Sequence, residues 1–122
     1  MLRLLSAFAF TLVFAVPAAF AAGDAAAGKK TYDTLCFTCH GPAGKGDGPA
    51  GAALTPPPRD FSKGEFKFDA DKNGKAGEDA DLKLVIKNGG GAYGGNPAMA
   101  PWGHLADKDI DDLIAYVRSL KK

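Results

Sequence analysis

The sequence predicts an all-α fold, with three main helices joined by long loops. One pattern near each end and one in between point to it. Asp24 is a good N-cap ahead of a helical stretch from Ala25 to Leu35. Near the other end Ile110, Leu113, Ile114, Val117 and Leu120 recur at three, four and seven positions, one apolar face of a helix that starts near Asp107. Between them, Gly- and Pro-rich stretches read as loops, and no βαβ alternation is found. The 122 residues suffice for one small domain.

Taken in order, residues Met1 to Ala21 read as a secretory signal. Arg3 is the positive n-region, Leu4 to Val16 is an uncharged apolar run, Pro17 breaks it, and Ala19-Phe20-Ala21 is a small-x-small cleavage site. An uncleaved anchor is the competing reading, since no charge falls between Arg3 and Asp24. The apolar run is shorter than the ~20 residues a spanning helix needs, which favours cleavage after Ala21. The expected organisation is a signal over 1–21 and one domain over 22–122. Removing Arg3 takes the net charge from +1 to 0. That balance argues against nucleic acid and against a strongly basic docking surface.

Inside the first helix, Gly28 and Tyr32 lie four apart and share a face. A glycine there costs up to about 1 kcal/mol relative to alanine, so close approach of another helix is the expected reason.

Directly after this helix comes Cys36-Phe37-Thr38-Cys39-His40, which holds both cysteines of the chain. Cys-x-x-Cys-His is the attachment pattern of a c-type haem. The two thiols can form thioethers to the two vinyl groups on one haem edge, and the adjacent histidine then lies beneath the iron. A thioredoxin-type dithiol would need a βαβ setting. A local disulfide would leave the histidine without a role. Export fits a use for both thiols, since they are not held reduced outside the cytoplasm.

The loop from Gly41 to Pro49 lacks the Gly-Lys-[Ser/Thr] ending of a phosphate loop, because Gly46 follows Lys45. Pro56-Pro57-Pro58 is a stiff polyproline segment. A ligating histidine needs its other ring nitrogen held by an acceptor, and a proline carbonyl is a well-fixed one. Pro57 or Pro58 is the candidate partner of His40, and Arg59 is a candidate for pairing with a haem propionate. Phe61, Phe66 and Phe68 add apolar bulk.

Asp69-Ala70-Asp71-Lys72-Asn73-Gly74 matches the first half of a calcium loop. The twelfth position is Ala80, where a bidentate Glu is required, so a solvated turn is the preferred reading. Glu78, Asp79 or Asp81 would have to substitute in a distorted site. Asp79 or Asp81 is expected to cap a short helix through Leu82, Val85 and Ile86 that ends at Gly89. A glycine-rich, mobile-looking connector from Asn88 to Pro97 leads to Met99. This methionine sits between prolines on a loop rather than on an apolar helix face, and its thioether is a soft ligand suited to haem iron. His104 is the alternative sixth ligand. Trp102 can pack on the haem edge with its indole N–H free to reach a propionate.

These motifs together resemble a class I c-type cytochrome, close to the small periplasmic monohaem cytochromes of bacteria. They are Cys36 to His40, the Gly-Lys-Gly-Asp-Gly-Pro loop, Pro56 to Phe61, Met99 to Trp102 and Asp112 to Val117. The resemblance implies the cytochrome c fold, with three main helices and long loops wrapped around one covalent haem c. It implies thioethers at Cys36 and Cys39, axial ligands at His40 and Met99, and the proline carbonyl within Pro56 to Pro58. It also implies that the first and last helices cross, with Gly28 and Tyr32 against Leu113 and Tyr116.

The implied function is a periplasmic one-electron carrier, a monomer serving redox partner proteins. With both axial positions filled there is no open site for substrate, so it is not an enzyme by itself. A haem-based ligand sensor and a cytochrome subunit of a larger oxidoreductase are the alternatives. About a hundred residues bury a limited core, so the haem is expected to supply much of it and the haem-free chain to fold poorly.

Overall fold

The computed structural model describes residues 23–122, and the expected signal lies outside the described residues. Helix α1 spans Ala25–Leu35, with Asp24 accepting from the N–H groups of Ala26 and Ala27 as its N-cap. A one-turn helix α2, Phe37–His40, follows directly. Helix α3 spans Asp79–Asn88 and α4 spans Asp107–Ser119. Short 3-10 turns lie at Phe61–Lys63 and Gly90–Tyr93. No strand occurs among the described residues.

The expected crossing of α1 and α4 is present, and Gly28 is its tightest point. A Cβ there would lie 1.9 Å from the carbonyl oxygen of Asp112 and 2.8 Å from the amide nitrogen of Leu113. Only a residue without a side chain lets the two backbones approach this far. One turn along, the Tyr32 and Tyr116 rings meet edge to face at 5.0 Å. Polar contacts set the register. Buried Asp112 accepts from the Asp24 N–H at 2.7 Å and from Lys108 Nζ at 2.6 Å. The Lys108 ammonium, then the Asp24 N–H, hold its carboxyl below the usual carboxylate range, so it stays charged.

Helix α3 lies against α4 through ion pairs at its edge, Lys83–Asp111 at 2.9 Å and Lys87–Asp107 at 2.6 Å. Its N-cap is Glu78 rather than Asp79 or Asp81, which both lie inside the helix; Asp81, at the third helical position, completes a capping box by accepting from the Glu78 N–H at 2.9 Å. Asp81 is 1 % exposed and also accepts from the N–H groups of Ala70 and Asp71, which pins the 69–74 turn to α3. Its oxygen lies within 4.8 Å of those of Asp69 and Asp71.

The core consists of Tyr32, Leu82, Ile86, Ile110, Leu113, Ile114 and Val117. It does not close on itself. Tyr32, Leu82, Ile86, Leu113 and Val117 also line a cavity of about 580 Å³. At the rate measured for sealed core cavities, about 24 cal/mol per Å³, leaving 580 Å³ empty would cost roughly 14 kcal/mol as an upper bound. Water entering at the mouth lowers this figure. It still compares with the whole stability of a typical domain, about 5–15 kcal/mol.

Two outcomes follow. Gly28→Ala, which would stabilise an isolated helix by up to about 1 kcal/mol, is expected to destabilise the loaded protein by about 1–3 kcal/mol, read as a lower denaturation midpoint at unchanged slope. The chain prepared without haem is expected to show reduced helix content by circular dichroism and a loss of cooperative unfolding. A fully helical, cooperative haem-free chain would contradict the second expectation.

Candidate functional site

The cavity has two walls. One is built by α2 and the loop that follows it as far as Phe61. The other is built by α3, the Gly90–Tyr93 turn and the segment carrying Met99, and residues of α1, α4 and the 66–68 stretch complete the lining.

Helix α2 is a single turn and would not persist alone. The following loop holds it by donating to its otherwise unpaired carbonyls: Ala50 N–H to Thr38, Gly48 N–H to Cys39 and Gly46 N–H to His40, at 2.9, 3.1 and 2.9 Å. The loop lies so close that a Cβ on Gly51 would sit 2.0 Å from the Cys39 carbonyl oxygen. The glycines here therefore serve close backbone approach and not phosphate binding. Tyr32 reaches the same region, its hydroxyl donating to the Gly41 carbonyl at 2.6 Å.

Cys36, Cys39 and His40 all line the cavity. Burial, and then the neighbouring Cys39, push the Cys36 thiol up to about 11, so it stays protonated at neutral pH. Burial pushes His40 down to about 4, with the backbone of Arg59 opposing. The imidazole is therefore neutral, the form that can ligate a metal. Its Nδ1 is buried and has no hydrogen-bond partner among the described residues.

Pro57 and Pro58 line the cavity, but neither carbonyl reaches that nitrogen within hydrogen-bonding geometry. The Pro58 carbonyl faces Gly46 instead, where a Cβ would lie 2.4 Å from it. The Phe61 ring stacks on His40 with centroids 4.5 Å apart, a contact beyond the general apolar bulk expected of it. Arg59 also lines the cavity, and its Nε donates to the Glu65 carbonyl at 2.8 Å.

On the opposite wall Met99 lines the cavity, half-buried. The glycine-rich stretch before it is a bonded structure rather than a loose connector. Gly90 N–H donates to the Met99 carbonyl at 3.2 Å, Gly95 N–H to Gly90 at 2.9 Å, and Met99 N–H to Asn96 at 3.1 Å. Trp102 lines the cavity and packs on the core, and its backbone N–H donates to the Ile86 carbonyl at 2.9 Å. His104 does not line the cavity; its ring lies 5.8 Å from Trp102. Asn96, which no sequence motif singled out, lines the cavity beside Met99.

A c-type haem fits this donor set. The space falls within the roughly 300–1,000 Å³ usual for ligand and cofactor pockets, and its lining is largely apolar. A Cys-x-x-Cys-His turn stands on one wall and a thioether on the other.

A cytochrome c family model matches residues 25–121. Cytochrome c-554(547) from Halothiobacillus neapolitanus is 39 % identical over 104 residues, covering 82 % of this chain and all of that protein. A chain of the Kuenenia stuttgartiensis reducing HAO-like protein complex is similar in structure, with a TM-score of 0.64 and 29 % identity. The likeness covers 78 % of this chain and 41 % of that one. With its helical fold, its Cys36–Cys39 pair in the attachment pattern and this match over nearly all its described residues, the chain belongs to the cytochrome c family, whose covalently attached haem c serves electron transfer.

Proposed function

We propose that this protein is a periplasmic carrier of single electrons. Its haem c is linked to Cys36 and Cys39, and its iron is held by His40 on one side and Met99 on the other. The observation that carries the reading is that these four side chains line one apolar cavity while His104 does not.

When bound, the haem supplies a reversible ferric–ferrous change. The chain's own residues do the rest. His40 is kept neutral by burial and offers a lone pair at any pH above about 4. Met99 offers a soft sulfur, which raises the reduction potential relative to a second imidazole. Leu82, Val85, Ile86 and Phe66 give the cavity its apolar lining. Arg59 and Trp102 are the residues suited to the propionates. With both axial positions taken, no open position is left for a substrate, so the protein is a carrier and not an enzyme.

In this reading residues 1–21 direct export and are removed, and 22–122 form a monomeric domain that meets its donor and acceptor by diffusion. The family match over 25–121 supports that boundary. A second reading, a cytochrome subunit of a larger oxidoreductase, is favoured by the likeness to a chain of a multiprotein complex. Co-purification with a stable partner would select it.

Protein recovered from the periplasm is expected to have the mass of residues 22–122 plus one haem, with a low-spin ferric spectrum and a thioether–iron charge-transfer band. A colourless product with two titratable thiols would refute the assignment. Met99→Ala is expected to keep the haem attached while its potential falls by part of the roughly 0.8 V span that axial ligands set. An unchanged spectrum and potential would remove Met99 from the site.

A further inference from the structure

Among the described residues, a single hydrogen bond crosses the mouth of the cavity from the Met99 segment to the wall that carries the cysteines and His40. It runs from Asn96 Nδ2 to the Pro56 carbonyl, at 3.0 Å. The other bonds of the Met99 segment stay on its own side. They run within the 90–99 stretch, from Trp102 to α3, or between Asn88 and Tyr93.

Both ends of the Asn96 amide are engaged. Its Oδ1 accepts from the Ala98 N–H at 2.9 Å, while Nδ2 donates to Pro56. A backbone N–H can only donate and a carbonyl can only accept, so one amide orientation alone satisfies both ends. The Asn96 backbone carbonyl accepts from Met99 N–H, so the same residue is tied directly to the proposed ligand. Pro97 disfavours helical backbone at Asn96, and the two neighbouring prolines beyond Pro56 stiffen the acceptor side.

The geometry points to Asn96 as a positioning residue: a strap that ties the Met99 segment to Pro56 across the mouth and so keeps the sulfur on the iron. This rests on the proposed axial role of Met99. An added ligand can reach the iron only when that segment swings away from the opposite wall. Swinging away breaks the Asn96–Pro56 bond and leaves the bonds within the segment intact. The strap therefore sets how readily Met99 is displaced, without touching the iron or the sulfur.

Imidazole titration of the ferric, haem-loaded protein tests this, following loss of the thioether–iron band, with haem content checked by mass. Asn96→Ala removes both side-chain bonds. Asn96→Asp keeps the acceptor for Ala98 and loses the donor to Pro56. Asn88→Ala serves as a control, since the Asn88 amide bonds the Tyr93 hydroxyl on the same side of the mouth. Both Asn96 variants are expected to bind imidazole roughly 2- to 10-fold more tightly, the effect of losing one hydrogen bond, with Asn88→Ala close to the parent.

If Asn96→Asp binds imidazole like the parent, only the local Ala98 bond matters and the strap is refuted. If Asn88→Ala tightens binding as much as Asn96→Ala, general loosening is the cause and the strap is again refuted. A parent protein without the thioether band before imidazole is added would instead overturn the axial role of Met99, and this inference with it.

Discussion

An apolar space that the chain does not fill with its own side chains is the constraint behind the rest of this structure. Five of the seven core residues face it, so the same Tyr32, Leu82, Ile86, Leu113 and Val117 that hold the helices together also form the walls of the site. Stability and cofactor occupancy are therefore one problem. A covalently tethered haem is a direct solution, because a group that cannot dissociate can serve as permanent core.

The frame that holds the cavity open is polar and close-fitting. Gly28 brings α1 and α4 into backbone contact, and the Asp112 carboxylate, paired within α4 to Lys108, locks them by accepting from the Asp24 N–H at the start of α1. At the other end of α4, Arg118 bonds both the Asp79 carboxylate and the Gly77 carbonyl, tying it to the start of α3. These contacts fix where the two walls begin. What lies between them is left to apolar side chains and to whatever occupies the space.

The two walls are built differently, and this bears on how they behave. The attachment wall is held by three backbone hydrogen bonds onto a single helical turn, by glycines packed where any Cβ would overlap the neighbouring backbone, and by the Phe61 ring stacked on His40. The Met99 wall is bonded mainly within itself and to α3, and reaches across the mouth through one exposed side-chain amide. Thioethers on the first wall make its position irreversible. In the proposed reading, ligation by Met99 on the second would rest on weaker and reversible contacts, and exchange at the iron would be governed from that side.

The chemistry was legible in the sequence because it is local. Cys36, Cys39 and His40 are adjacent, a cap precedes α1, and the α4 stripe repeats at helical spacing. Met99 stood out because only one methionine lies beyond the initiator and no apolar helix face claims it. What tertiary structure alone decided are pairings between distant residues. His40 Nδ1 is buried without a hydrogen-bond partner among the described residues, while Pro57, Pro58 and Arg59 all line the cavity beside it. The glycine-rich run is bonded, because its donors find Met99, Gly91 and Gly90 carbonyls once the segment folds back on itself. Asn96 meets Pro56 forty residues away. No periodicity or motif encodes such a contact, since it depends on where two loops arrive after the helices have packed.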